Sequence, residues 1–210
     1  MPLKDPRLQR IINNLIDKHH CHTLILYGSR ARNEHTDVSD YDLIAIRDKG
    51  ADERDCRTFE DAFLDVFIYS EASIKNPDET FLRVKDGIII CQKDDIGDKL
   101  LNRIREIIKK GPTPIPEWEK QVIITWHDKM FQRASKGDIE GNFRRVWQIY
   151  DLLESYFKLR NRWYFGPKEA FVWLKDNDID TYELFDNVLK APTDLNNIKK
   201  LIERVKITIK

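Results

Sequence analysis

Asp40 and Asp42 stand one residue apart where an apolar run, Leu43-Ile44-Ala45-Ile46, begins. Alternate residues of a strand point to one face, so this spacing puts both carboxylates together. Paired that way, they repel each other unless a cation lies between them. A ten-residue spacer separates them from a Gly28-Ser29 turn, which closes a second apolar run, Leu24-Ile25-Leu26-Tyr27. Such a turn offers N–H and hydroxyl donors, and a same-face carboxylate pair holds Mg²⁺. Together they suit a metal-bound polyphosphate.

The string Gly28-Ser29-Arg30-Ala31-Arg32, continued by Ser39-Asp40-Tyr41-Asp42-Leu43, resembles the polymerase-β-like nucleotidyltransferase superfamily and its minimal and aminoglycoside-type branch. At motif level the resemblance runs over about residues 8–70. The competing reading is a hairpin that happens to open on two solvated aspartates. Asp is depleted in strands, which weighs against two of them opening one by chance. Asn33 stands where that branch usually carries Gly, and Asn tolerates a left-handed backbone better than most residues.

The resemblance implies an α/β (α+β) catalytic domain with a short mixed sheet. It also implies Mg²⁺-dependent transfer of a nucleoside monophosphate from a nucleoside triphosphate, with ATP the expected one and the nucleobase preference left open, to a hydroxyl, with release of pyrophosphate. It asks for a third carboxylate on a neighbouring strand. Asp65, between Leu64 and Val66, is the candidate, with Asp61 as the reserve. Asp40, Asp42 and Asp65 would then be both the catalytic acids and the ligands of two Mg²⁺ ions. Asp65 would also be placed to take the acceptor's proton. Gly28 would let backbone approach the phosphates, and Ser29 would donate to one of them. Arg30 and Arg32 would complete the nucleotide site, one of them meeting the leaving pyrophosphate.

The elements that must hold these residues follow from periodicity. Leu8, Ile11, Ile12, Leu15 and Ile16 predict a helix over 6–18. Strands are expected at 24–27, 43–46 and 64–69, with 48–63 largely polar and 81–91 mixed. Leu100, Leu101, Ile104, Ile107 and Ile108 predict a second helix. His19, His20 and His22 tempt a metal reading, but ligands crowded onto neighbouring positions rarely converge on one ion.

Gly111-Pro112-Thr113-Pro114-Ile115-Pro116 marks the expected boundary, an extended proline-rich connector. A catalytic domain over 1–110 would precede a helical, acceptor-binding domain over 117–210. Helices are expected at 118–134, 142–164, 167–175, 181–189 and 195–205. Phe143, Val146, Trp147, Tyr150, Leu153 and Phe157 share one stripe of the longest. Asp151, Glu154, Arg160 and Arg162 are the candidate acceptor-binding residues here. The bland account of the two acids is solvated charge, and of the two arginines a helix end.

Charge is balanced, with 36 basic and 36 acidic residues over 210 positions, and neither half is strongly basic. That argues against a partner in long nucleic acid and against a template-directed polymerase. Cys21, Cys56 and Cys91 are widely spaced and fit reduced thiols in the cytoplasm. No apolar run is long enough for a membrane span.

The expected partners are a nucleoside triphosphate and a small hydroxylated acceptor, an aminoglycoside-like antibiotic or a metabolite. The alternative is an antitoxin-like enzyme that transfers AMP to a protein partner. With every acid in place, an inactive binding domain ranks below both.

Overall fold

Pro6–His19 forms the first helix, α1, and its boundaries are written locally. The Asp5 side chain accepts from the Arg7 amide at 2.9 Å, Pro6 stands at the first turn, and His20 ends the helix in the left-handed region at φ 55°. Those are the ordinary start and stop signals of a helix. Leu8, Ile11, Ile12 and Leu15 lie on one stripe and are buried.

The described residues are 5–207 of a computed structural model. The chain divides into two compact units, Met1–Lys110 and Gly111–Lys210. In the first, α1 is followed by β1 (Thr23–Tyr27), a short helical turn α2 (Gly28–Ala31), β2 (Tyr41–Arg47), β3 (Glu53–Phe59) and β4 (Ala62–Ser70). A 3-10 helix (Glu79–Val84), β5 (Ile88–Cys91) and α3 (Ile96–Lys110) complete it. The strands form one mixed sheet in the order β3-β4-β2-β1-β5. β2 and β4 run parallel, and the other neighbours are antiparallel.

Strand alternation sorts the side chains of this sheet into two faces. Leu24, Leu26, Tyr41, Leu43, Leu64, Val66 and Ile68 pack with the apolar stripe of α1 into one core. Their neighbours in sequence, Tyr27, Asp42 and Asp65, therefore point to the other face. Ile25, Ile44 and Ile46 bury that second face further along, where α3 packs beside β1.

The polar stretch 48–63 contains a strand that the sequence pattern concealed. β3 is the sheet edge, and its residues alternate between exposed and half-buried without a single large apolar side chain before Phe59. Glu60 and Asp61, at φ 46° and 64°, make the two-residue turn into β4. Asp61, the reserve acid, is thus an exposed turn residue. The fifth strand, β5, is the apolar end of the mixed segment and pairs with β1.

The second unit is helical: α4 (Glu117–Ala134), α5 (Ile139–Leu159), α6 (Pro167–Asn177), α7 (Ile179–Lys190) and α8 (Leu195–Lys206). Asp138, Asp178 and Asp194 cap α5, α7 and α8 with their side chains. Helix α5 stops five residues short of the expected Tyr164. Asn161 adopts φ 52°, and the amides of Asn161 and Arg162 turn back onto the carbonyls of Lys158 and Phe157, a Schellman ending. The core of this unit begins at Ile149 and runs through Leu152, Leu153, Tyr156 and Phe157. On the stripe before Leu153, Phe143, Val146, Trp147 and Tyr150 are exposed.

Candidate active site

Gly28 ends β1 at φ 71°, a conformation a side chain strains to adopt. A Cβ added there would collide with a carboxylate oxygen of Asp42 and lie 3.2 Å from its Cγ. The Gly-Ser turn and the Asp-x-Asp strand therefore meet in van der Waals contact. Ser29 lies in the first turn of α2, whose leading amides have no partner within a turn that short.

Asp42 is flanked on both sides. Its register partner on β1 is Tyr27, and on β4 it is Asp65. The parallel pairing of β2 and β4 thus sets two carboxylates side by side on one face, with Asp40 two residues before Asp42 and exposed. Burial, then the charges of Asp40 and Asp65, push the Asp42 carboxyl up to about 6 against the weaker pull of Arg32 and Arg30. A buried carboxyl raised in this way by two neighbouring negative groups is what a multivalent cation would relieve. Tyr27, on the same face, is raised to about 12, chiefly by burial.

Asp65 has a partner the sequence reading did not foresee. Arg54, on the edge strand β3, donates Nε and Nη2 to its two carboxylate oxygens at 2.7 Å each. The Arg54 guanidinium also lies 4.7 Å from the Phe67 ring centroid. On that ring, 4.0 Å away, rests a second unforeseen cation, Arg83 of the 3-10 helix, whose Nη2 donates to the Tyr69 hydroxyl at 3.1 Å. The alternation Asp65, Phe67, Tyr69 along β4 puts this aromatic strip on the acids' face. Arg54 was hidden because β3 carries no apolar alternation, and Arg83 because only the fold brings it to β4.

Arg30 is buried and occupied. Nε donates to the carbonyls of Ser39 and Asp40 at 3.2 and 3.0 Å, and Nη2 to Ser39 at 2.7 Å, while the guanidinium stacks 3.8 Å from the Tyr41 ring centroid. It fixes the start of β2 and hence the two aspartates. Tyr41 itself turns into the α1 core, where its hydroxyl bonds Asp5. Arg32 is half-buried and paired with Glu34 at 3.1 Å. Asn33 sits at φ 56°, so the loop takes the left-handed turn that the substitution for Gly had to permit.

Residues 9–96 match the family model for the polymerase β nucleotidyltransferase domain. The chain carries a nucleotidyltransferase domain of the polymerase-β superfamily. It is a transferase enzyme, and its α/β unit followed by a helical one is the expected fold class. Among solved structures, a nucleotidyltransferase-like protein from Exiguobacterium sibiricum is 15% identical, with 95% of this chain and 71% of that one covered and a TM-score of 0.41. No curated protein matches. No helix among the described residues is long and apolar enough to cross a membrane.

Of the four candidate acceptor residues, the helical unit brings Arg160 and Arg162 to one cavity, and Asp151 and Glu154 do not line it. Asp151 is half-exposed beside buried His127 (3.5 Å to Nε2) and accepts from the Ser155 hydroxyl at 3.3 Å. Glu154 is exposed. Arg160 spends both terminal nitrogens on carbonyls of Tyr156, Arg204, Val205 and Ile207, which caps α5 and α8. Arg162 instead lies over Trp173, 4.5 Å from its ring centroid.

The histidines after α1 diverge. His19 turns to Glu53 and Asp55 on β3, at 3.4 and 3.2 Å. His22 faces Asp48 and Glu71, a grouping within reach of one ion but with both carboxylates already bridged by the Lys93 ammonium.

Proposed function

We propose that this enzyme moves a nucleoside monophosphate from ATP to a hydroxyl of a small acceptor, an aminoglycoside-like antibiotic or a hydroxylated metabolite, and releases pyrophosphate. One observation carries the reading: Asp42 and Asp65 are register partners on one face, with Gly28 against Asp42 and Asp40 two residues away. The donor set fits divalent ions, because the three acids are oxygen ligands, and burial together with the charges of Asp40 and Asp65 already lifts Asp42 to about 6. Two Mg²⁺ held by Asp40, Asp42 and Asp65 would offset charge on the triphosphate and on the oxygens that attack and leave.

The chain's own residues do the rest. Gly28 brings backbone close to the phosphates, and the Ser29 hydroxyl donates to a phosphate oxygen. Arg30 acts indirectly, since its three bonds to the Ser39 and Asp40 carbonyls hold the acids in line. Arg32, Arg54 and Arg83 supply positive charge around the triphosphate's end. The acceptor oxygen forms a bond to the α-phosphorus as the bond to the β-phosphate bridge breaks. The acceptor's proton passes to Asp65, and pyrophosphate carries away the leaving electron pair.

The test is full-length protein with Mg²⁺, labelled nucleoside triphosphates and a panel of aminoglycosides, lincosamides and candidate proteins, read by mass shift. A mass increase equal to AMP on a small hydroxylated compound is expected. Transfer to a protein alone would favour the antitoxin-like alternative. Asp65→Asn should still bind nucleotide through Ser29, Asp40 and Asp42 while losing transfer. Full transfer by that variant would remove Asp65 from the reaction.

A further inference from the structure

The helical unit contains a cavity of about 440 Å³ bounded by the ends of α5, α6 and α8. That volume lies in the range of small-molecule sites. Its charge is unusual for a neutral protein: Arg160, Arg162 and Arg204 line it together with one acid, Asp178.

The acid is fully engaged. Asp178 accepts from the Tyr156 hydroxyl at 2.6 Å, from Arg204 at 2.7 Å and from the Thr181 hydroxyl at 2.8 Å. Burial opposes its charge, but these donors overcome burial and hold the carboxyl at about 2. Asp178 therefore cancels one positive charge of the three. Among the described residues, no carboxylate pairs with Arg160 or Arg162. Arg160 faces the cavity with a charge whose terminal nitrogens are spent on carbonyls, while its buried Nε finds no partner among the described residues. Arg162 keeps its donors: only its backbone amide is bonded, and the Schellman turn at Asn161 aims the side chain across α6. There its guanidinium rests on Trp173. A planar guanidinium held by an aromatic face presents its N–H edge to a bidentate oxyanion. On Arg204, Nε and Nη2 are bound to Thr181 and Asp178, and among the described residues no bond engages Nη1.

We propose that this cavity binds a small phosphate monoester whose apolar or aromatic body lies beside Trp173, since Tyr156 is buried with Arg160 stacked on its ring. The charge decides between oxyanions. Three guanidiniums less one carboxylate leave two positive charges, which a phosphate monoester matches with roughly 1.5 to 2 negative ones near neutral pH. A carboxylate would leave half of that charge unmet. The site is built wholly from the helical unit, and its existence does not depend on nucleotidyl transfer in the other.

All five tryptophans lie at or beyond Trp118, so tryptophan fluorescence reports on the helical unit alone. Full-length protein titrated with phenyl phosphate should show a saturable change, confirmed as one site per chain by calorimetry. Benzoate and inorganic phosphate should each bind at least tenfold more weakly. Arg162→Gln should weaken phenyl phosphate at least tenfold at an unaltered unfolding midpoint, and Arg162→Lys should fall between. Equal affinity for benzoate would overturn the monoester assignment, and equal affinity for inorganic phosphate would overturn the body-binding wall. Undiminished binding in a folded Arg162→Gln, or no saturable binding at all, would remove the site.

Discussion

Arg54 holds Asp65 through two hydrogen bonds of 2.7 Å, on the same face where Asp65 lies beside Asp42. Asp65, which we propose as the third acid of the site, is therefore engaged by a guanidinium in the metal-free chain. Arg54 lies on an edge strand and is more than half exposed. A pair of that kind is weak enough for a divalent ion to displace it. Arg54→Ala should accordingly raise the affinity of the nucleotide-free protein for Mn²⁺ severalfold, measured by calorimetry or metal paramagnetism. Unchanged or weaker metal binding would mean that Arg54 orients Asp65 for the metal and does not compete with it.

The raised Asp42 carboxyl sets a pH dependence for the metal-free fold. In the folded chain it titrates near 6, above its ordinary value of 3.8, so the fold favours the protonated form. Its contribution to stability is complete below about pH 4 and is lost as pH rises through 6. Asp42→Asn fixes the neutral state in the same shape. In chelator it should be more stable than the parent above pH 6, by about 1–2 kcal/mol once solvent screening of a half-open site is allowed for. Near pH 4 the gain should vanish. Denaturant midpoints from pH 4 to 8 measure this, and an equal gain at every pH would point to packing and not to charge.

Much of this geometry is visible in the chain because it is local. The Gly28-Ser29 turn and the Asp40/Asp42 pair lie within one short loop, and Asn33 announces its left-handed turn by residue type. Even Asp65 can be picked out, since an acid between Leu64 and Val66 belongs on the face opposite the core. The misses are the residues whose meaning depends on register. Arg54 reaches Asp65 only because β3 pairs with β4, and β3 has no apolar alternation because an edge strand needs none. Arg30 illustrates the same limit. A cation beside a phosphate turn reads as a ligand, whereas the fold turns it inward onto the Ser39 and Asp40 carbonyls. In the helical unit the stripe along α5 predicts the helix correctly but not its surroundings. Leu153 and Phe157 are core, and Phe143 and Trp147 on the same stripe are exposed.

The contact between Gly28 and Asp42 separates two roles in the turn. Ser29→Ala removes one donor to a charged phosphate, worth roughly 1.5–3 kcal/mol. Nucleotide affinity should fall more than tenfold while metal-free stability holds. Gly28→Ala adds a methyl that meets the Asp42 carboxylate at a positive φ, where an L-residue already costs about 1–2 kcal/mol. It should lose both stability and metal affinity, because the displaced group is an acid of the site. Equal nucleotide binding by both variants and the parent, by equilibrium dialysis, would remove the turn from the nucleotide site.

Arg30 and Arg32 are two residues apart and make opposite predictions. Arg30 is buried, gives three hydrogen bonds to the Ser39 and Asp40 carbonyls and stacks on Tyr41. Arg30→Lys keeps the charge but loses the fork, so two carbonyls at the start of β2 lose their donors. At about 1 kcal/mol per hydrogen bond, a loss near 2 kcal/mol of stability is expected. Transfer should fall with it, because the strand carrying Asp40 and Asp42 would no longer be held. Arg32 is half-buried at the end of α2, and its removal takes charge from the turn without freeing a strand. Arg32→Ala should therefore unfold within about 0.5 kcal/mol of the parent, the usual range for surface changes, while binding nucleotide more weakly. Denaturant midpoints and nucleotide affinities of the two variants decide the matter together. If Arg30→Lys unfolds like the parent and only its nucleotide affinity drops, Arg30 is a phosphate ligand and does not position the acids.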